Sequence, residues 1–191
     1  PGVNLPGVFT VRTPDDAQNI RAFVDTHQAK RAVVVGGGFI GLEMAENLKD
    51  KGLAVTVVDL APQLLPNIFD PEMALYLRRH LQKQGVQVLT SVMVEGLEGG
   101  AAVTGVKTGA GLLPADVVIL SAGIRPNTAF LNDTGIDMVK GTILTDDQGR
   151  TNLPGIYAAG DCAMVHNRIT GKPAWSPMGS TANYMGRTLA Q

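Results

Sequence analysis

Three glycines at the start of a helix-forming segment carry the strongest chemical signal in this chain. The apolar run at residues 33–35 is followed by Gly36-x-Gly38-x-x-Gly41. Gly36 lets the chain turn sharply off a strand, Gly38 lets a pyrophosphate approach the backbone, and Gly41 lets the helix pack close to the sheet. The free N–H groups at the helix start attract phosphates. The segment therefore predicts a dinucleotide-binding loop, with contacts from Gly36, Gly37, Gly38, Phe39, Ile40 and Gly41.

A carboxylate follows where an adenosine ribose needs one. Asp59 ends a second β-branched run and lies 18 residues after Gly41. A carboxylate at this place accepts hydrogen bonds from the ribose hydroxyls. Asp59 is also a common turn former at a strand end, but the complete order of strand, loop, helix, strand and acid favours the ribose. Residues 60–64 contain no arginine for a 2′-phosphate, so we expect NADH rather than NADPH.

Hydrophobic periodicity predicts the elements that position this loop. Helices are expected from Thr13 to about His27, from the glycine loop to Gly52, and from Asp70 to just before Gly85. Residues 86–89 form a third parallel strand. The core-facing side chains expected on the second and third helices are Ile40, Met44, Ala45, Leu48, Met73, Leu77 and Leu81.

The hydrophobic pattern of the sequence changes after residue 90. Residues 91–98, 101–108 and 112–113 alternate in short runs separated by glycines, which predicts a β-meander. Residues 117–120 are fully apolar and predict a buried parallel strand that returns to the main sheet. The predicted fold class is α/β, a Rossmann-like dinucleotide-binding domain whose parallel sheet is interrupted by a β-meander crossover.

Composition excludes several kinds of partner. The 191 residues are 45% hydrophobic and carry a net charge of −1 with acids and bases interspersed, so nothing favours nucleic acid. The longest apolar runs are too short to span a membrane, and no secretory signal pattern is present. A single cysteine, Cys162, favours a buried, unreactive thiol and a reducing cytoplasm. The histidines have no metal-ligand spacing, so we assign no metal site.

The C-terminal third adds a family resemblance. Residues 151–161, Thr-Asn-Leu-Pro-Gly-Ile-Tyr-Ala-Ala-Gly-Asp, resemble the second flavin motif of the FAD-dependent pyridine nucleotide-disulfide oxidoreductases. The resemblance implies that Asp161, preceded by Gly160, binds a ribityl hydroxyl of FAD. Residues 175–191 resemble the helix whose N-terminus points at the flavin, which implies FAD contacts from Pro177, Met178 and Ala182.

Other strings resemble the same family. Residues 122–127, Ala-Gly-Ile-Arg-Pro-Asn, are similar to its NAD-domain exit loop, which implies NAD contacts from Ala122 and Gly123. The string from Gly36 through Leu48 and the Asp70-Pro71-Glu72 helix start are similar to the coenzyme A disulfide or persulfide reductases, NADH oxidases and NADH peroxidases. In that group the protein passes hydride from NADH to FAD and on to a thiol, disulfide, persulfide, peroxide or oxygen acceptor.

The resemblance also implies a domain organisation. Residues 29–143 correspond to the NAD(H)-binding domain, 1–28 to a flavin-domain piece with a linker helix, and 144–191 to a C-terminal piece of the FAD-binding domain. The family's first glycine loop, redox cysteine and dimerisation domain have no counterpart here. We therefore expect a central piece of a longer, homodimeric enzyme, inactive by itself.

Two residues of the glycine loop and its helix are candidate catalytic residues. Phe39 either packs on the first helical turn or, as the resemblance implies, covers the flavin until nicotinamide arrives. Glu43 either complements the helix dipole as a first-turn acid or pairs with a lysine beside the flavin. Two other functions stay open for the whole chain: an electron-transfer flavoprotein of the ferredoxin or rubredoxin reductase type, and a non-catalytic NAD-binding redox sensor.

Overall fold

A computed structural model describes residues 1–190, which pack as two compact units. The first unit is Pro1–Gly123, and the second begins at Ile124. The elements of the first unit are β1 (Val8–Phe9), α1 (Pro14–Thr26), β2 (Arg31–Val35), α2 (Phe39–Asp50), β3 (Ala54–Val58), α3 (Pro71–Lys83), β4 (Gln87–Leu89), β5 (Val94–Gly99), β6 (Val103–Thr108), β7 (Gly111–Pro114) and β8 (Val117–Leu120).

The first unit is built on a parallel sheet with the strand order β1-β8-β2-β3-β4. Strands β5, β6 and β7 form a separate antiparallel meander between β4 and β8 in the chain. The predicted α/β class, with its parallel sheet and meander crossover, is confirmed. The chain runs outward from β2 to β4 and returns to β8 on the other side of β2, so the strand order reverses between β2 and β8. That reversal opens a crevice at the carboxyl ends of these strands.

Strand side chains alternate between the two faces of the sheet, and both faces are buried because the helices cover one and the meander covers the other. Val34 of β2 belongs to a core shared with the three helices, whereas Val33 belongs to a core shared with the meander. The strands therefore read as continuous apolar runs, as expected for a parallel sheet covered on both sides. Helix α1 begins with a capping box in which Thr13 and Asp16 bond each other's backbone N–H, as the Thr-Pro-Asp-Asp start predicts.

The buried stripes of two helices differ from expectation. Met73 is 53% exposed, so its predicted place in the core is wrong. The stripe of α3 instead passes through Ala74, Leu77 and Leu81, and Met73 lies about 100° around the helix from Ala74. On α2 the core takes Gly41, Ala45 and Leu48, while Ile40 is 39% exposed at the helix start.

The second unit is smaller and less regular. Its elements are a single 3₁₀ turn (Ala129–Leu131), β9 (Met138–Val139), β10 (Thr142–Ile143), β11 (Val165–Asn167), β12 (Lys172–Ala174) and α4 (Gly179–Leu189). Strands β9 and β10 pair antiparallel, as do β11 and β12. Ile136 and Ile143 share a small core with Ala158 and Ala163, so residues before 143 pack with this unit. How these units correspond to the cofactor domains of a longer protein stays a prediction.

Within residues 1–190, no helix is long and apolar enough to cross a membrane. In the same residues, no three His, Cys, Asp or Glu side chains are grouped to hold a metal ion.

Candidate dinucleotide site

The glycine loop lies at the carboxyl end of β2, and its glycines differ in how much space a side chain would have. Gly36 has a φ of +111°, and a Cβ there would collide with the carbonyl of Ser121. A Cβ at Gly41 would collide with the Gly36 carbonyl and lie 2.6 Å from Ser121 Oγ. At Gly38, by contrast, a Cβ would meet no heavy atom of the described chain within 4 Å, apart from its neighbours in sequence. The loop is therefore closed at Gly36 and Gly41 and open at Gly38.

The open side of the loop suits an anion. Gly38 is the N-cap of α2 and has no side chain that could occupy the helix terminus. The first turn of α2 contains no acidic residue. The positive end of the helix dipole and the N–H groups from Gly38 onward thus face a space with no acidic side chain of the helix's own first turn, and the residues present fit a diphosphate.

Asp59 supports the loop from the β3 side. Its Oδ2 accepts a hydrogen bond from the Gly37 N–H at 2.5 Å, and its Oδ1 accepts one from the Ala61 N–H at 2.7 Å. The Leu65 N–H donates to the Gly37 carbonyl at 3.2 Å, and a Cβ at Gly37 would lie 2.5 Å from Leu64 Cδ2. Segment 59–65 therefore holds the Gly37 peptide at both its N–H and its carbonyl, and it places the predicted ribose carboxylate beside the loop.

The end of β8 forms the other wall of the crevice. The Ser121 N–H donates to the Val35 carbonyl at 2.8 Å, which aligns the ends of β8 and β2. Ala122 and Gly123, assigned to NAD by resemblance, follow directly and are exposed. Gly123 has a φ of +116°, a conformation that favours glycine. The predicted NAD residues from three separate segments thus come together at the reversal of strand order.

The two candidate catalytic residues lie on the first turns of α2. Phe39 is 41% exposed, so packing against the helix does not bury its ring. Glu43 is exposed and is the fifth residue of α2, outside the first turn. Its alternative interpretation as a first-turn acid is therefore wrong, while its pairing with a lysine stays a prediction.

The predicted FAD residues come together in the second unit. Gly160 has a φ of +89°, and a Cβ there would lie 3.9 Å from the Cβ of Ala182 on α4. Trp175 Nε1 donates to the Asp161 carbonyl at 2.8 Å, which ties the Asp161 turn to the segment leading through Pro177 to α4.

Two further features at this end fit a flavin. The Asp161 side chain is exposed, and Met178 is the N-cap of α4, where no side chain within residues 1–190 caps the helix by a hydrogen bond. A free carboxylate and an uncapped helix start suit the hydroxyls and the developing negative charge of a flavin. Cys162 is only half-buried, with its Sγ 3.5 Å from the Ala159 carbonyl, so its expected burial is partial.

Sequence reasoning missed the residues that support the loop rather than contact a ligand. Ser121, Leu64 and Leu65 lie against the glycines, yet none belongs to a glycine motif. The available signal for Ser121 was its position: a hydroxyl directly after an apolar parallel strand lies at the carboxyl edge of the sheet, where ligands bind.

A family model described as pyridine nucleotide-disulphide oxidoreductase matches residues 1–182. The chain belongs to this family. The predicted family is therefore confirmed, and the match extends across both units rather than the glycine loop alone.

The similar proteins differ in the electron acceptor that their names imply. The NADH oxidase of Methanocaldococcus jannaschii is 40% identical over 100% of this chain and 42% of its own length. The NAD-dependent persulfide reductase of A. fulgidus has a TM-score of 0.92 at 36% identity, over 98% of this chain and 35% of that one. A ferredoxin reductase of Rhodopseudomonas palustris has a TM-score of 0.92 at 32% identity, over 100% and 47%. The chain thus spans less than half the length of these relatives.

Proposed function

We propose that this chain supplies the NADH-binding region, and part of the FAD-binding region, of an FAD-dependent oxidoreductase. The observation that carries the proposal is the shape of the loop: closed at Gly36 and Gly41, open at Gly38, with the Asp59 carboxylate beside it. A diphosphate would take the open side, and the adenosine ribose would take Asp59. Ala122 and Gly123 would contact the nicotinamide half from the other side of the crevice.

FAD would be held in part by the second unit. Asp161 would bind a ribityl hydroxyl, and Gly160, Pro177, Met178 and Ala182 would lie along the flavin. Bound FAD supplies the redox chemistry, accepting hydride from NADH and passing electrons to an acceptor, while the protein contributes orientation and electrostatics. Phe39 would shield the reacting faces from water, and Glu43 would place a negative charge near the point of transfer.

The NADH oxidase and the persulfide reductase support a small-molecule acceptor such as oxygen or a persulfide, and the family resemblance adds a disulfide or a peroxide. We also propose a homodimer in the cytoplasm as the working form, and the single cysteine agrees with a reducing compartment. NADH is preferred over NADPH because Asp59 would repel a 2′-phosphate and residues 60–64 contain no arginine to bind it.

Similarity to a ferredoxin reductase favours one alternative, electron transfer to a redox protein without a thiol. A redox cysteine elsewhere in the complete gene product would support the disulfide or persulfide reaction, and its absence would support the alternative. A purified gene product without flavin absorbance at ~450 nm would instead support a redox sensor that binds only NAD.

Substitution at Asp59 tests the proposed dinucleotide site. Asp59→Arg should raise the dissociation constant for NADH by about tenfold and lower that for NADPH, since it exchanges a ribose acceptor for a phosphate-binding cation. Asp50→Arg makes the same charge change at the exposed C-terminal end of α2 and should alter neither constant. Titration of intrinsic NAD(P)H fluorescence measures both. If Asp59→Arg changed neither constant, the ribose assignment would be wrong.

A further inference from the structure

The hydroxyl of Ser121 contacts the glycine loop from the β8 side, where no role has been assigned to a side chain. Its Oγ lies 3.0 Å from the Val35 carbonyl and 3.2 Å from the Gly36 carbonyl. These two carbonyls belong to the last residue of β2 and the first residue of the loop. One hydroxyl is therefore within hydrogen-bonding distance of both carbonyls at the point where β2 turns into the loop.

The same serine also limits the third glycine. Ser121 Oγ lies 2.6 Å from the place that a Cβ on Gly41 would occupy, and the Ser121 carbonyl closes the corresponding place at Gly36. The hydroxyl thus fills the angle between the turn at Gly36 and the first turn of α2. Because protein interiors tolerate little empty space, removal of this group would let the turn and the helix start shift relative to each other.

The loop is consequently supported from two sides by different chemistry. On the β3 side, Asp59 holds the Gly37 N–H and is also the expected ribose ligand. On the β8 side, Ser121 is half-buried with its hydroxyl directed at main-chain carbonyls. Both of its side-chain contacts are to the backbone where β2 turns into the loop, so we expect its effect on a ligand to pass through that loop.

We propose that Ser121 is a positioning residue that orients the N–H groups of the glycine loop toward the diphosphate of NADH. The inference rests on the proposed dinucleotide function and adds a residue to it. Loss of the hydroxyl weakens the binding of the diphosphate by the loop. NADH and ADP-ribose share this diphosphate, so the affinity for both falls. Because the hydroxyl contacts the loop backbone and not Ala122 or Gly123, the rate at saturating NADH should be unchanged.

The test compares Ser121→Ala with wild type in the complete gene product. The dissociation constants for NADH and for ADP-ribose, which has the diphosphate but no nicotinamide, should both rise by about three- to tenfold, the factor expected for one lost hydrogen bond. The KM for NADH should rise in parallel, with kcat unchanged. Ser121→Cys keeps a similar volume and a weak donor, so it should recover part of the affinity.

Thr104→Ala is the matched control. Thr104 Oγ1 also donates to a main-chain carbonyl, that of Glu98 at 3.3 Å, but in the meander. Thr104→Ala should lower the free energy of unfolding slightly and leave the dissociation constants for NADH and ADP-ribose unchanged. Unchanged affinity in Ser121→Ala, or an equal fall in kcat, would overturn the positioning role while leaving the proposed function intact. Failure of wild type to bind NADH or ADP-ribose would instead remove the proposed function, and the role of Ser121 with it.

Discussion

The two units present their candidate cofactor residues in opposite ways. In the first unit, Gly36, Gly37 and Gly41 are buried, and neighbouring strands hold the loop through Asp59 and Ser121. In the second unit, Asp161 and Met178 are exposed, and no described residue of α4 is buried. The first unit therefore contains the support for its own site, whereas the second offers groups on a surface.

The difference shows which part of the chain should act alone. A loop fixed by its own sheet is formed before a ligand arrives, so little ordering entropy opposes binding. Groups on an exposed helix and turn need further contacts to enclose a flavin. We expect the isolated chain to bind NADH more readily than FAD, and the following experiments test the contrast from its largest consequence to its smallest.

The largest effect is expected at the glycines. Gly41→Ala should lower the free energy of unfolding by about 2 kcal/mol or more, because its methyl would collide with the Gly36 carbonyl and Ser121 Oγ. Gly38→Ala should change stability by less than about 0.5 kcal/mol, since the site is open. Both should weaken NADH binding by at least about tenfold. Urea unfolding followed by far-UV circular dichroism, with NADH titration, measures both quantities.

Gly186→Ala on α4 is the control for this pair. Its Cβ would meet no described atom within 4 Å, apart from its neighbours, so it should gain about 0.5–1 kcal/mol of stability from helix propensity. If Gly41→Ala were as harmless as Gly186→Ala, the loop would not be closed as the structure shows.

The second effect concerns Asp161. Asp161→Ala should leave unfolding of the second unit unchanged, because the side chain is exposed, yet weaken FAD binding by the complete gene product about tenfold. Asp161→Asn keeps one acceptor oxygen and should lose less. Trp175 is the sole tryptophan, so its fluorescence reports the second unit during unfolding, and flavin absorbance reports the cofactor. Full FAD retention in Asp161→Ala would contradict the ribityl assignment.

The third effect is a pH-dependent contribution to stability in the first unit. The Arg31 guanidinium, followed by the Lys30 and Arg31 N–H groups, holds the pKa of Asp116 below its usual value. A carboxyl whose pKa is lowered on folding stabilises the protein above its unfolded pKa of about 3.9 and loses that contribution as the pH falls through the folded value. Asp116→Asn should therefore cost about 1 kcal/mol at neutral pH and progressively less as the pH falls below about 3.9.

Glu95→Gln provides the comparison, because the Glu95–Lys107 pair is exposed and 3.9 Å apart. It should change stability by less than about 0.5 kcal/mol at either pH. A cost for Asp116→Asn that did not diminish in acid would show that the carboxylate charge is not responsible.

The smallest effect is the matching substitution in the second unit. The Arg150 N–H and side chain lower the pKa of Asp146, with Arg150 Nε 2.6 Å from Oδ2, but this carboxylate is exposed. Asp146→Asn should shift the urea midpoint reported by Trp175 less than Asp116→Asn shifts that of the first unit. This shift, too, should be complete above about pH 4 and decline as the pH falls further. Added salt should reduce the shift further, because solvent-exposed charges are screened. An effect larger than that of Asp116 would reverse the contrast between the units.

Local patterns were sufficient for much of the fold. The alternation of apolar runs, caps and glycines predicted α1, α2, β3 and the meander, because each depends on residues close in sequence. The family was equally readable, since its motifs are short strings of fixed order. The exposure of Met73 was not readable, because a helix stripe one position away satisfies the same periodicity.

The glycine motif and Asp59 by themselves determined that a dinucleotide loop should form at the end of a strand. Only the tertiary structure decided what holds that loop, since Ser121 lies 85 residues from Gly36 in the chain and reaches it through the pairing of β8 with β2. Spacing along a chain records local geometry, whereas a contact between distant strands depends on sheet order. That order depends on how the whole chain connects and packs its strands, so it leaves no motif at the residues it brings together.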